Sequence, residues 1–411
     1  MDVLRGYEDF INPSLARTYR FMGLDHAEAT AQGAVVTDNE GVQYIDCAGG
    51  YGVFVQGYRH PRIIEAAHAQ LDLMPLSSRV LVSPRPVELA EKLARLTPGD
   101  LTYSFFCNSG TEAVEAALKI ARGSTGRSTI VSTEGAFHGK TYGSLSVSGR
   151  DLYQALFKPL VPDVVRVPYG DESALKAAMN ANVAAVIVEP IQGEGGVIVP
   201  PRGYLMAVRQ LCDTWGAAMI ADEVQTGLGR TGVLFAVEQE SVVPDLLCLA
   251  KALGGGVVPI GAVVGRPWVW KVFEENPLIH TSTFGGNPLA CRVASVALDV
   301  IVQEDLPKRA RELGSWFLAA LRVLAREHPS LVTAARGQGL MIGLELSSPG
   351  VAGLVMSELF VRRILAVYTL NNERVIRLMP PVVIEESQLR EVLNALGEVL
   401  IAVEAVKDDV E

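Results

Sequence analysis

Polar side chains follow short apolar runs at three places in the middle of the chain. The three are Ala184–Val188 before Glu189, Ala218–Ala221 before Asp222, and Leu246–Leu249 just before Lys251. Each run has the length and composition of a buried strand. In an open parallel sheet, ligands bind outside the carboxyl ends of the strands. The sequence therefore predicts that two carboxylates and one amine converge on a single crevice.

The lysine at position 251 is followed directly by a glycine-rich stretch. Ala252 and Leu253 lead into Gly254-Gly255-Gly256, where the missing side chains let a ligand approach the backbone closely. An isolated lysine at a strand end more often snorkels its ammonium into solvent. The residues that accompany Lys251 favour a functional role instead.

A second feature of the sequence, the start of a predicted helix, favours the binding of an anion. Ser109-Gly110-Thr111 opens an apolar-periodic helix, and the N–H groups and dipole at a helix N-terminus bind phosphate well. The two hydroxyls add donors. The alternative is an ordinary serine N-cap followed by Glu112 in the first turn.

An amine, a phosphate site and a buried carboxylate together suit pyridoxal 5′-phosphate (PLP). PLP works as an electron sink, and a carboxylate beside its pyridine nitrogen keeps that nitrogen protonated. Asp222 fits this role, because a lone buried carboxylate without a cationic partner is costly. Phe137 lies between glycines and is placed to cover a flat ring, although such a residue taken alone is more often part of the core.

One motif points to a different cofactor. Gly227-Leu228-Gly229-Arg230-Thr231-Gly232 matches the GxGxxG pattern of dinucleotide sites. Such a site needs the loop to open a helix and the next strand to end in an acidic residue. Here Val233-Leu234-Phe235 is expected to be extended, and the next strand meets Lys251. A dehydrogenase is therefore only a remote alternative.

Composition narrows the possible partners. The 411-residue chain is 49% apolar and 20% charged, with a net charge of −10 and no basic stripe for nucleic acid. Charges or turns interrupt every long apolar stretch, so no membrane span is expected. The N-terminal residues lack a signal-peptide pattern. The five scattered cysteines and six histidines contain no CxxC or HExxH spacing, which argues against a metal site and indicates a cytoplasmic protein.

The alternation of strands and helices in the middle of the chain predicts an α/β domain with a mostly parallel sheet. Its other strands are expected at Thr129–Ser132 and Ile260–Val264, and a helix at Thr111–Arg122 is expected to end at Gly123. Three helices and two strands are expected in the C-terminal part: Pro307–Glu327, Val355–Arg363, Glu386–Val403, Leu340–Leu346 and Val375–Leu378. We expect a large domain at residues 51–304 and a smaller α+β domain formed by residues 1–50 and 305–411.

Four sequence blocks resemble the class III, ornithine aminotransferase-like branch of fold-type I PLP enzymes. The blocks begin at Cys107 (CNSGTEA), Glu189 (EPIQGEGG), Asp222 (DEVQTG) and Thr281 (TSTFGGNP). Within this branch the segments AFHGK (136–140), LCLAKALGGG (247–256) and TLNN (369–372) look most like putrescine (diamine) aminotransferases. The resemblance spans nearly the whole chain and implies the PLP-dependent transferase fold.

The resemblance implies a role for each matching position. Lys251 would hold PLP as a Schiff base and move the substrate proton, Asp222 would pair with the pyridinium nitrogen, and Gln225 would lie near the ring hydroxyl. The remaining cofactor positions would be Ser109, Gly110 and Thr111 at the phosphate, Phe137 on the ring, and His138 and Glu189 nearby. Thr283 would reach the phosphate of a neighbouring subunit, which implies a homodimer with shared active sites and permits a tetramer. Arg377 would bind the α-carboxylate of glutamate or 2-oxoglutarate, and Glu194 would pair with that arginine.

Position 140 bears on the choice of substrate. The resemblance to ornithine and acetylornithine aminotransferases leads one to expect an arginine that helps hold substrate carboxylate, but the residue here is Lys140. Lysine is a point charge and cannot form the two parallel hydrogen bonds of a guanidinium. We therefore expect an ω-aminotransferase that moves an amino group from a diamine such as putrescine or cadaverine to 2-oxoglutarate, giving an aminoaldehyde and glutamate. An ornithine, acetylornithine or other ω-amino-acid aminotransferase is the nearest alternative, and a PLP racemase or aminomutase is a more distant one.

Overall fold

The computed structural model describes residues 3–23 and 26–406. Fifteen strands in these residues form three sheets. They are β1 (Glu28–Gln32), β2 (Val35–Asp38), β3 (Gln43–Asp46), β4 (Tyr103–Cys107), β5 (Thr129–Thr133), β6 (Val164–Val167), β7 (Val183–Val188), β8 (Ala218–Asp222), β9 (Leu246–Leu249), β10 (Gly261–Gly265), β11 (Val332–Gln338), β12 (Met341–Leu346), β13 (Ile364–Leu365), β14 (Val367–Thr369) and β15 (Asn372–Leu378).

Fourteen α-helices accompany these strands in the same part of the chain. They are α1 (Val3–Phe10), α2 (Pro13–Phe21), α3 (Pro61–Leu73), α4 (Pro84–Leu96), α5 (Gly110–Thr125), α6 (Tyr142–Val147), α7 (Asp151–Gln154), α8 (Glu172–Ala178), α9 (Tyr204–Trp215), α10 (Pro267–Trp270), α11 (Pro288–Gln303), α12 (Leu306–Glu327), α13 (Pro349–Val361) and α14 (Glu386–Glu404). None of the helices described is long and apolar enough to cross a membrane.

The central sheet has seven strands in the order β4-β10-β9-β8-β7-β5-β6. The pairs β9·β8, β8·β7, β7·β5 and β5·β6 are parallel, and every residue of β7, β8 and β9 is buried. This burial explains why these strands are nearly continuous apolar runs. The prediction of a mostly parallel α/β sheet is confirmed. The sequence pattern did not predict that β10 runs antiparallel to both β9 and β4.

Two further sheets have four strands each: β1-β2-β3-β13 combines the two ends of the chain, and β11-β12-β15-β14 is built from the C-terminal part alone. The short strand β13 pairs in parallel with β3, so that Ile364 lies opposite Ile45. A smaller α+β part built from both termini is therefore present, as expected. The exact domain boundaries at residues 50 and 304 stay a prediction.

The end of α5 differs from the prediction. The helix passes Gly123 and ends at Gly126, which has a left-handed φ of 66°. Thr125 Oγ1 donates to Ala121 O at 2.7 Å, so the last turn is closed by a side chain. Gly123 serves packing instead, because a Cβ there would lie 2.5 Å from Val272 Cγ2.

The GxGxxG segment has a structural role in this fold. It forms turns followed by a short 3-10 helix, Ala236–Glu240, and not by an α-helix. Its Arg230 is fully buried and donates to Leu340 O at 3.0 Å and to Pro380 O, while Arg230 O accepts from Leu340 N. The segment thus joins the β8 loop to the sheet that carries β15.

Candidate active site

A cavity of about 520 Å³ opens at the carboxyl ends of β7, β8 and β9. The three strand-end residues Glu189, Asp222 and Lys251 all line it, as the sequence analysis predicted. The cavity also contains Ser109, Gly110, Thr111, Phe137, His138, Glu194 and Gln225. The expected residues therefore meet in one place.

The backbone at Lys251 is strained. Its φ is +46°, in the left-handed region that residues with a side chain rarely adopt. Such strain costs about 1–3 kcal/mol and persists where the surroundings impose it. Burial lowers the pKa of Lys251, and the nearby Glu194 and Asp222 only partly oppose this. A lowered pKa makes the neutral amine, the nucleophilic form, easier to reach.

Asp222 has a buried histidine partner. His138 Nδ1 lies 2.7 Å from Asp222 Oδ2, and both side chains are almost fully excluded from solvent. Val224 N donates to the other carboxylate oxygen at 3.1 Å. An ionised carboxylate can only accept, so the Nδ1–H of His138 is the donor in this contact. His138 Nε2 is buried and has no hydrogen-bond partner among the described residues.

The N-terminus of α5 opens into the cavity with two backbone N–H groups that could hold an anion. Ser109 caps the helix, accepting from Glu112 N at 3.3 Å, and Ser109 O accepts from Ala113 N. The first four N–H groups of a helix have no partner within it, so the N–H groups of Gly110 and Thr111 remain available among the described residues. A Cβ on Gly110 would lie 2.8 Å from Val224, which explains the glycine.

The Thr111 hydroxyl is already engaged. It lies 2.8 Å from Thr141 Oγ1 and 2.6 Å from Ser144 Oγ. These contacts fix α5 against the segment that carries Phe137 and His138. The backbone N–H of Thr111 is therefore its more available donor toward the cavity.

Glu189 is a buried acid with backbone partners. It accepts from Phe137 N at 3.0 Å and from Gly193 N at 3.1 Å. Burial raises the pKa of Glu189 to about 7, against the opposing effect of His138 and with a further increase from Asp222. Glu189 thus helps hold Phe137 in place at the cavity.

Gln225 spans the cavity floor. Its Nε2 donates to Tyr51 O at 3.0 Å and lies 3.4 Å from Glu194 Oε1, while its buried Oε1 has no partner among the described residues. A Cβ on Gly193 would lie 1.6 Å from Gln225 Oε1, so only glycine permits this placement.

Glu194 and Arg377 form a buried ion pair. Arg377 Nη1 donates to Glu194 Oε1, and Leu370 N donates to Glu194 Oε2 at 2.9 Å. Burial would raise the pKa of Glu194, but Arg377 and the Leu370 N–H hold it below its ordinary value. Arg377 Nε and Nη2 are buried without a partner among the described residues, so the guanidinium has unused donors.

Three predicted residues do not line this cavity: Arg377, whose partner Glu194 does line it, Lys140 and Thr283. Lys140 is exposed, with its Nζ 4.2 Å from the ring centroid of Tyr153. Thr283 is also exposed, in the loop before α11, and does not line the cavity of its own chain. The substrate-binding role of Lys140 and the role of Thr283 at a neighbouring subunit's phosphate stay predictions.

Tyr51 is a residue near the ion pair that was not predicted from the sequence. Its ring lies 5.0 Å from the Arg377 guanidinium, its carbonyl accepts from Gln225, and its φ is +59°. The signal was an aromatic residue among glycines in Gly49-Gly50-Tyr51-Gly52, the same pattern that drew attention to Phe137.

Comparisons with known proteins place this arrangement in a family. Residues 21–400 match the aminotransferase class-III family. The ornithine aminotransferase of Toxoplasma gondii is 36% identical, with a TM-score of 0.88 over 93% of this chain and 91% of that one. The acetylornithine aminotransferase of Elizabethkingia anophelis is 36% identical, with a TM-score of 0.82 over 95% and 99%. A transaminase from the marine bacterium Virgibacillus is 29% identical, with a TM-score of 0.87 over 92% and 93%.

The chain belongs to the class III aminotransferases, which are PLP enzymes of fold type I. The ornithine aminotransferase of Toxoplasma gondii has been described with PLP at its active site. The residues of this chain fit that cofactor. A buried carboxylate, the half-buried Lys251 and a helix N-terminus with two available N–H groups line one cavity.

Proposed function

We propose that this chain is an ω-aminotransferase that moves the terminal amino group of a linear donor to 2-oxoglutarate. The observation that carries the proposal is the buried Glu194–Arg377 pair beside the Lys251 cavity. An enzyme that must accept two unlike substrates in turn needs a carboxylate-binding group that can be masked. A pair with unused guanidinium donors meets this need.

Bound PLP supplies an electron sink that stabilises negative charge at the substrate carbon next to the nitrogen. Lys251 would hold the cofactor through its amine and, once released, move the proton between the substrate carbon and the cofactor. Its lowered pKa suits this work, because a larger fraction of the amine is then in the neutral form that can accept a proton.

The surrounding residues would orient the cofactor. Asp222, held by His138, would face the pyridine nitrogen and keep it protonated. The N–H groups of Gly110 and Thr111 would bind the phosphate at the start of α5. Phe137, fixed through its N–H by Glu189, would cover one face of the ring. Gln225 would approach the ring hydroxyl through its unpartnered Oε1, which can accept a hydrogen bond from it.

Arg377 would serve the second substrate. In the donor half-reaction, Glu194 cancels the charge of Arg377, so that the tail of the donor does not meet a bare guanidinium. In the acceptor half-reaction, Glu194 would move aside and Arg377 would take the α-carboxylate of 2-oxoglutarate through two parallel hydrogen bonds. The unpartnered Nη2 supports this, since it provides the second donor.

Ornithine or N-acetylornithine is the first candidate for the donor. The solved relatives named above include an ornithine and an acetylornithine aminotransferase, each 36% identical to this chain. No comparison points specifically to a diamine. The donor expected from the sequence, putrescine or cadaverine, therefore takes second place.

A diamine remains the second candidate because of the charges around the cavity. Three carboxylates, Glu189, Glu194 and Asp222, line the cavity with Lys251, and the charge of the adjacent Arg377 is balanced by Glu194. Lys140, at the position where the family resemblance suggests an arginine, rests on Tyr153. A cationic tail would be tolerated in such a cavity more easily than a second carboxylate.

Donor profiling tests the proposal. With 2-oxoglutarate as acceptor, kcat/KM is measured for ornithine, N-acetylornithine, putrescine and cadaverine. A preference of about tenfold or more for either amino acid, equivalent to about 1.4 kcal/mol of differential transition-state binding, supports the first candidate. The reverse preference supports the diamine, and failure of all four to transfer to 2-oxoglutarate would refute an ω-aminotransferase.

The assembly and location are also part of the proposal. A homodimer whose phosphate site is completed by Thr283 of the partner subunit would explain why this exposed residue does not reach its own cavity. A cytoplasmic location is consistent with five cysteines that are all free and buried.

A further inference from the structure

The turn at residues 369–372, which we call the TLNN turn, follows β14 and begins β15. Two of its four residues, Leu370 and Asn371, contact Glu194 of the ion pair. Leu370 N donates to Glu194 Oε2 at 2.9 Å, and Asn371 N donates to Glu194 O at 2.9 Å. One turn therefore binds both the side chain and the backbone of Glu194.

The TLNN turn is itself anchored at two points. Asn371 Nδ2 donates to Gly135 O at 2.8 Å, in the segment that leads to Phe137. The Tyr153 hydroxyl donates to Leu370 O at 3.0 Å. These two anchors position the backbone N–H of Leu370 toward Glu194.

The two carboxylate oxygens of Glu194 have different partners. Oε1 faces Arg377 Nη1 and Oε2 faces the Leu370 N–H. If Glu194 leaves Arg377, it must also leave this backbone donor. A hydrogen bond to a charged group is stronger than one between neutral groups, so losing it shifts the balance between two positions of the Glu194 side chain.

We propose that the TLNN turn is a latch that sets how often Arg377 is free. This inference rests on the proposed function of the Glu194–Arg377 pair and adds the element that determines its balance. Leu370 stabilises the masked state through its N–H, and Asn371 and Tyr153 are positioning residues that act through it. The latch thereby sets the relative affinity for donor and 2-oxo acid.

Weakening the latch should change the affinities for a dicarboxylate and for the amine donor in opposite directions. The apparent dissociation constant of a ligand that binds only the free-arginine state equals its intrinsic value divided by the fraction of that state. Weakening the latch raises this fraction. A dicarboxylate should then bind more tightly, while a donor that needs the masked state should bind more weakly. A purely structural role would weaken both.

The test uses the holoenzyme and glutarate, a dicarboxylate that has no keto group and cannot react. Asn371→Ala removes the anchor to Gly135 but keeps the Leu370 N–H. We expect the Kd for glutarate to fall about three- to tenfold and the KM for the donor to rise by a similar factor. Tyr153→Phe should shift both in the same directions by less, and the pair of changes should exceed either alone.

Tyr169→Phe is the matched control. The Tyr169 hydroxyl also donates to backbone carbonyls beside the cavity, Glu189 O at 2.8 Å and Pro190 O at 3.0 Å, but it does not touch Glu194 or the TLNN turn. This variant should change the two affinities equally or not at all. Circular dichroism and thermal unfolding verify that each variant is folded.

Failure of the latch and failure of the proposed function give different results. If Arg377→Ala leaves glutarate binding unchanged, Arg377 is not the carboxylate site and the proposed function fails. If Arg377→Ala weakens glutarate binding but Asn371→Ala weakens it too or leaves it unchanged, only the latch is refuted.

Discussion

Removing either member of the Glu194–Arg377 pair should affect the two half-reactions in opposite ways. Arg377→Ala deletes the clamp for the carboxylate of 2-oxoglutarate. A bidentate clamp consists of two charge-assisted hydrogen bonds, worth about 1.5–3 kcal/mol each. Even at the lower value the acceptor half-reaction should lose about 100-fold in efficiency, since 1.4 kcal/mol is about tenfold. The donor half-reaction should fall by less than about tenfold.

Glu194→Gln should reverse this order. Glutamine still accepts from Leu370 N but no longer cancels the charge of Arg377. A bare guanidinium at roughly 8 Å from a donor ammonium costs about 2 kcal/mol at an effective dielectric constant of about 20. The donor half-reaction of a diamine should therefore slow about 30-fold, while that of 2-oxoglutarate changes little.

Stopped-flow absorbance measures each half-reaction separately in both variants. Arg374→Ala provides the control, because Arg374 lies on the same strand, β15, and pairs with Glu345 away from the cavity. It should leave both half-reactions unchanged. A permanent structural bridge between Glu194 and Arg377 predicts instead that both half-reactions fall equally in both variants, and that result would refute the switch.

Three further predictions concern the cofactor site. Lys251→Ala should abolish turnover while the protein still folds, since a positioned base alone contributes about 10²–10⁴ in rate. Near wild-type turnover would refute the assignment of Lys251 as the residue that holds PLP and moves the proton. Glu189 has a pKa raised from 4.5 to about 7 in the folded protein, so the folded state holds a proton that the unfolded state loses between these values, and stability falls as pH rises through this window. Glu189→Gln should therefore reduce the loss of apoenzyme stability between pH 5 and 7, by up to about 3 kcal/mol, and an unchanged slope in thermal or denaturant unfolding would contradict the raised pKa. Thr283→Val should weaken PLP binding in a dimer and leave the fold intact, whereas full activity of a monomer, measured by sedimentation with assay, would rule out the shared site.

The sequence predicted the central sheet well because its strands are buried on both faces. Runs such as 184–188 and 246–249 are apolar without interruption and end at the residues that line the cavity. The strand β4 was missed because Tyr103 and Ser104 leave no continuous apolar run. Its antiparallel pairing with β10 depends on contacts between distant segments, which local patterns do not encode.

The site was predicted less completely where geometry depends on the small domain. The pairing of Glu194 with Arg377 followed from the family resemblance, but its backbone donor at Leu370 did not. Asp222 was expected to pair with the pyridinium nitrogen of PLP, but its hydrogen bond to His138, 84 residues earlier in the chain, was not expected. The ring of Tyr51 over Arg377 also arises from residues far apart in the chain. Such contacts are set by tertiary packing.

A spectroscopic half-reaction tests the central claim most directly. The holoenzyme is mixed with a donor amine in the absence of any 2-oxo acid, and the absorbance of the cofactor is followed. An aminotransferase should convert PLP to its aminated form, which absorbs at about 330 nm, and 2-oxoglutarate should then restore the original spectrum. Lys251→Ala should show no such conversion. If the wild-type spectrum does not change without a 2-oxo acid while the amine is racemised or rearranged, or if the purified protein binds no PLP, the account is contradicted.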